Sequence, residues 1–132
     1  MKRLITSRRR ALLIGFLTGL VVSGCGTGEL SVFESSRSPR GDHEIVLHLA
    51  ESSIPSGPYH IFVDVRVDGG ASMRLIETTI ANDGVPPTRR DIALRWVDNT
   101  HALLCLHESD LADRGTRIII ASPPRAEQIE RC

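Results

Sequence analysis

The sequence predicts an all-β fold, a small antiparallel sandwich or partly closed barrel of six to seven strands with a short C-terminal helix or tail. Three observations carry this. Apolar residues recur at every second position beyond residue 43, most plainly over Tyr59–Asp68. The alternating runs are short. Gly, Pro, Asn and Asp cluster between them, the turn chemistry of an all-β domain.

Each element follows from its residues. Gly26–Ser38 is rich in Gly, Ser and Thr and reads as a tether, with Leu30–Ser35 a candidate first edge strand. Ser38-Pro39-Arg40-Gly41 is a turn, since Pro presets φ and Gly is free to take a positive one. Glu44–Leu49 places Ile45, Leu47 and Leu49 on one face. Tyr59, Ile61, Val63, Val65 and Val67 face one way in the next strand, and His60, Phe62, Asp64, Arg66 and Asp68 the other. That is the pattern of a half-buried antiparallel strand. Met73–Ala81 is a further strand, ended by Asn82-Asp83-Gly84.

Ile92, Leu94 and Trp96 share a face, and Asp98-Asn99-Thr100-His101 turns the chain. Ala102, Leu104 and Leu106 then oppose those three in an even register. Leu111–Gly115 is a polar loop with room for one helical turn. Thr116–Ala121 holds three consecutive isoleucines, which suits a strand covered on both faces. Arg125–Cys132, beyond Ser122-Pro123-Pro124, has room for a helix of about two turns by the usual rise per residue. Ser-Pro-x-Gly and Trp-x-Asp also occur in propeller blades. A propeller needs at least four blades of about 40 residues, which excludes that architecture here.

The N-terminus is of a different kind. Lys2, Arg3, Arg8, Arg9 and Arg10 precede a largely apolar run, Ala11–Gly24, and no acidic residue appears before Glu29. A membrane-spanning helix needs about 20 apolar residues, so this run is short for a permanent span. Basic head, short apolar middle and small-residue end are the regions of a secretory signal peptide. Val22-Ser23-Gly24-Cys25 resembles the bacterial lipobox. That resemblance covers residues 1–25 and implies diacylglycerylation of Cys25 with cleavage before it. It divides the chain into a signal peptide (1–24), a lipidated Cys with flexible tether (25–42) and a single β-rich domain (43–132). Gly26 and Thr27 follow the Cys, with no Asp to retain the protein in the inner membrane. The resemblance therefore implies the outer membrane, facing the periplasm, with the lipid bilayer as a partner through acylated Cys25.

Cleavage removes five of the sixteen Lys+Arg and none of the sixteen Asp+Glu, leaving eleven cations against sixteen anions, a formal charge of −5. Lys2 is the only lysine. Clustered basic side chains are what neutralise phosphates, so the balance argues against nucleic acid. Phe33, Tyr59, Phe62 and Trp96 are too few for an obvious stacking platform. Cys105 and Cys132 remain in a chain bound for an oxidising compartment, where disulfides persist. A Cys105–Cys132 bridge is the economical pairing. The alternative leaves Cys105 as a small buried apolar residue and Cys132 as a free terminus.

No catalytic constellation emerges. There is no Gly-x-Ser-x-Gly elbow and no Gly-rich loop leading into a helix, so a small hydrolase is the weakest functional reading and no cofactor or metal is assigned. His48 and His60 face each other only if their hairpin pairs residue numbers summing to 108. That register also sets Glu44 against Asp64, a repulsive pair. A sum of 110 pairs Glu44 with Arg66 and separates the histidines, and is the better register. His101, His107, Glu108 and Asp110 form a second polar cluster without the spacing of a zinc site.

The domain resembles, in architecture and signal, the small β-rich lipoproteins of Gram-negative envelopes. Lipid-anchored lysozyme inhibitors are similar in size, but Ser56-Gly57-Pro58-Tyr59 is one residue short of their Ser-Gly-x-x-Tyr segment. Two readings follow: a non-enzymatic module binding an envelope protein, of accessory, inhibitor or immunity type, or a structural lipoprotein without a dedicated ligand. Val46, Phe62, Asp64 and Arg66 form the candidate interaction surface for the first.

Overall fold

Alternation and turn chemistry produce two meanders that face each other. The structure, a computed structural model, describes residues 28–132. Its first sheet runs β1 (Ser31–Arg37), β2 (Glu44–Ala50), β3 (Tyr59–Arg66) and β4 (Ser72–Ile80) in sequence order. The second runs β5 (Ile92–Trp96), β6 (His101–Leu106), β7 (Arg114–Ile119) and β8 (Arg125–Ile129), also in order. Every pairing is antiparallel. The sheets stay separate, so this is a sandwich and not a closed barrel. Cys25 and the lipobox lie outside the described residues.

The strand count is corrected to eight, and the expected C-terminal helix is absent among the described residues. The candidate edge strand Leu30–Ser35 is β1, running two residues further to Arg37, and the added strand is β8, residues 125–129, which were read as helix. Two helical turns gain little by themselves, because short helices are marginal in water. As a strand the segment hydrogen-bonds along β7, whose edge would otherwise leave its N–H and C=O groups unpaired. Gln128 Nε2 adds a bond to Thr116 Oγ1 at 3.1 Å. The polar loop before β7 holds no helical turn either.

The β2–β3 register pairs Glu44 with Arg66, Val46 with Asp64 and His48 with Phe62, the sum of 110. Ile92, Leu94 and Trp96 stand opposite Leu106, Leu104 and Ala102, the even register. One cluster then fills the space between the sheets. Ile45, Leu47, Tyr59, Ile61, Val63 and Val65 come from one side, and Ile92, Leu104, Leu106 and Ile118 from the other. Burying each such side chain contributes about 1.5–3 kcal/mol. Ile118, Ile119 and Ile120 are all buried, as three consecutive isoleucines required.

Cys105 and Cys132 form a disulfide with their Cα atoms 5.8 Å apart. It joins β6 to the chain beyond β8, across β7, and ties the outermost strand to the centre of its sheet. Polar contacts close both ends of the sandwich. At one end Trp96 Nε1 donates to Ser36 Oγ at 3.1 Å and Asn99 Oδ1 accepts from Arg40 N at 2.9 Å. At the other end Glu108 Oε1 accepts from Ala81 N at 2.9 Å.

Candidate functional site

The period of two turns β2's Glu44, Val46 and His48 and β3's His60, Phe62, Asp64 and Arg66 away from the core, onto the outer face of the first sheet. Phe62 nevertheless is only 7% exposed. It is covered from the solvent side. The Arg74 guanidinium carbon stands 4.5 Å from the Phe62 ring centre, close enough for cation–π attraction. The His60 ring lies 6.3 Å from it, tilted by 13°. Phe62 belongs neither to the shared core nor to an open apolar patch: it is the floor beneath a charged layer.

Two carboxylates organise that layer, each in contact with both neighbouring strands. Glu44 on β2 accepts from Ser35 Oγ of β1 at 2.8 Å and from Arg66 Nη1 of β3 at 2.9 Å. Asp64 on β3 accepts from Arg74 Nε of β4 at 2.9 Å, while His48 Nε2 of β2 stands 3.1 Å from its other oxygen. The Asp64 contact pushes the Arg74 guanidinium above its usual range. Val46, half-buried, lies between these groups. Ion pairs of this exposure stabilise a fold by roughly 0.2–1 kcal/mol each. Their main consequence is geometric, a charge pattern held in place across four strands.

Arg74 carries no mark in the sequence. Counting back by two from buried Ile76 puts Arg74 on the core face. A β-bulge at Leu75 changes the phase, so that Ile76 opposes Val63 but Arg74 opposes Asp64. A bulge of this kind re-aims a side chain. No Gly, Pro or charge pair flags it in advance.

The second polar cluster does not assemble. His101 opens β6 at one end of the sandwich, where its Nδ1 is 2.9 Å from Asp98 Oδ2. His107 lies past the other end of β6 and pairs with Asp113 at 2.9 Å. Glu108 bridges the two sheets at that end, its Oε2 buried 3.1 Å from Arg114 Nη2 in an ion pair not aligned as a hydrogen bond. Glu108, His107, Asp83 and Asp91 line a cavity of about 240 Å³ with Ile80 and Val85. The backbone N–H of Thr88, then its hydroxyl, holds the Asp91 carboxyl below its ordinary range. His48 and His60 are apart, each opposite a non-histidine residue.

Asp42, His43 and Asp68 are the one trio among the described residues whose donor atoms gather closely enough to suggest a metal. Their hydrogen bonds assign them elsewhere. His43 Nδ1 accepts from Asp68 N at 3.3 Å, and its Nε2 stands 3.8 Å from Asp42 Oδ1. Ser38 Oγ donates to Asp42 at 2.8 Å and Asn99 Nδ2 at 3.1 Å. The Ser38 hydroxyl is the main reason the Asp42 carboxyl is held below its ordinary range. The trio clamps turns at one end of the sandwich.

The outer face of the second sheet differs in kind. Arg95, Leu103, Arg117 and Glu127 form one cross-strand row there, and neither Arg95 nor Arg117 has an ion-pair partner among the described residues. The ordered charge array belongs to the first sheet. Comparison of the chain with protein-family models, with curated proteins and with solved structures finds no match.

Proposed function

We propose that this is a lipid-anchored protein of the bacterial envelope, a non-enzymatic module that binds a protein partner through the outer face of its first sheet. The observation that carries the reading is the interlocked array over Phe62, with Asp64 held by His48 and Arg74 and Glu44 held by Ser35 and Arg66. Side chains already fixed in place lose little further freedom on association, which lowers a main cost of binding. Alternating charges along the face favour a partner of complementary pattern and set its register and on-rate. The lipobox resemblance at Cys25 supports the anchor and the envelope, on the outer membrane's periplasmic side. Lipid would hold the protein firmly, since one acyl chain binds weakly but two or more do not readily release.

Photo-crosslinking in intact cells tests this. A photoreactive residue at Val46, within the array, should trap one protein reproducibly. The same residue at Arg117, on the second sheet, should not. Binding of the trapped protein to the purified domain should then weaken at least tenfold on Arg66→Glu. No adduct at Val46, or equal adducts at both positions, would favour a structural lipoprotein without a dedicated ligand.

A further inference from the structure

Among the described residues seven large apolar side chains stand exposed, and five of them lie at one end of the sandwich. The register defines that end: Ser31 pairs with Leu49, Tyr59 with Ile80 and Ile92 with Leu106. Leu30 and Val32 flank the entry into β1. Ile54 is on the β2–β3 loop (68% exposed), Val85 on the β4–β5 connection (67%) and Leu111 on the β6–β7 loop (63%). A single exposed aliphatic residue is ordinary. One on each of three successive loops, all at the same end and drawn from both sheets, is a pattern. The turns at the opposite end carry Asp42, Asp68, Asp98 and Asn99, and the exposed large apolar residues there are two, Val97 on the β5–β6 turn and Met73 at the start of β4.

The same end receives the N-terminal segment. Gly28 N donates to Glu51 O at 2.9 Å, which fixes the entering chain beside the β2–β3 loop. Cys25 is three positions before Gly28, and a chain spans at most about 3.6 Å per residue. Any lipid on Cys25 therefore holds this end of the domain, and no other, within about 11 Å of its attachment point. Arg89 and Arg90 are exposed on the loop that carries Val85, and neither has an ion-pair partner among the described residues. An arginine at a bilayer surface lays its methylenes along apolar matter and reaches phosphate with its guanidinium.

We propose that the crowns of these three loops, through Ile54, Val85 and Leu111, rest in the interfacial layer of the membrane that anchors the protein, with Arg89 and Arg90 against lipid phosphates. The inference rests on lipidation of Cys25 as proposed above. It adds an orientation: the sandwich stands end-on, and the charge array of the first sheet faces sideways, clear of the lipid. Asp83, Asp110, Asp113 and Glu51 on the same loops, with Glu29 beside them, are exposed and repel a strongly anionic surface, so the fitting one is rich in zwitterionic headgroups. The contact is shallow, of the kind in which apolar side chains enter about 5–10 Å.

The mature full-length protein, reconstituted in vesicles of phosphatidylethanolamine with a minor share of phosphatidylglycerol, provides the test. Trp96 is the one native tryptophan and belongs to the far end, so Trp96→Phe gives a silent background. Single substitutions Ile54→Trp, Val85→Trp and Leu111→Trp are then read with lipids brominated on their acyl chains, beside Val97→Trp as the far-end control. The three loop tryptophans should lose emission to the brominated lipid and shift to shorter wavelength, and Val97→Trp should do neither. Loop tryptophans no more quenched than the control would overturn the proposal. Mass analysis of the N-terminal peptide in the same sample separates the two claims. An acylated protein with unquenched loops removes the contact and keeps the anchor. An unacylated protein with quenched loops removes the anchor and keeps the contact. Absence of both signals removes both.

Discussion

Gly115 and Cys132 are in contact that only a glycine permits: a Cβ on Gly115 would stand 3.1 Å from Cys132 Sγ and 2.6 Å from Ile129 Cγ1. Gly115 lies between Cys105 of β6 and Ile129 of β8 in one cross-strand row. The disulfide passes over β7 at the one position without a side chain. Gly115→Ala should therefore strain both the bridge and the β7–β8 pairing. Overpacking of this kind costs about 1–3 kcal/mol, to be seen as a lower denaturation midpoint with the disulfide still formed.

Removing the bridge acts on the same strand. Cys132→Ser should destabilise the domain by up to about 3.5 kcal/mol, the chain-entropy value for a loop of this length. β8 should then be the first strand to lose amide protection in hydrogen exchange. Unchanged stability would mean that the β7–β8 hydrogen bonds alone hold the tail.

The Phe62 floor gives a third expectation. Phe62→Ala should leave a folded domain that has lost about 1.5–3 kcal/mol, the value of one large side chain's burial. The shared core on the other face of β3 is untouched. The charged layer above should loosen, so that Asp64→Ala costs less in the Phe62→Ala background than alone. Additive effects in that double-mutant cycle would show that ring and array are independent.

Asp98 offers a pH handle. The backbone N–H of Thr100, and then the His101 side chain, hold its carboxyl down to about 2 from an ordinary 3.8. A depressed folded-state value stabilises the fold above the unfolded value and ceases to as pH falls through the folded one. The β5–β6 turn should thus weaken as pH drops from 3.8 towards about 2, followed by the Thr100 amide resonance. Asp98→Asn should flatten the response of that amide.

The strands that face the core on alternate residues were legible because the period is two and the turns are marked by Gly, Pro and Asn. The β2–β3 register was legible from electrostatics alone, since only one alignment sets Glu44 against Arg66. The edges were less so. The first showed only as the candidate strand Leu30–Ser35, and Arg125–Ile129 read as helix: an edge strand over a polar rim needs little apolar alternation, and the β8 residues are good helix formers overridden by pairing and a disulfide. At the candidate site Val46, Phe62, Asp64 and Arg66 could be placed on one face from the sequence. Arg74 could not, because a bulge moved it there. Glu108 was legible only as a polar residue near a strand end, as nothing in the chain shows that Arg114 and the backbone of Ala81 will enclose it.

The lipid proposed on Cys25 is what would place this sandwich at a membrane. The direct measurement is growth in a labelled fatty acid, comparing wild type with Cys25→Ala, followed by mass analysis of the N-terminal peptide of the mature protein. Label is expected in wild type only, on a peptide that begins at Cys25 and bears acyl chains. Equal label in both proteins, or a mature N-terminus elsewhere with a free Cys25 thiol, would contradict it.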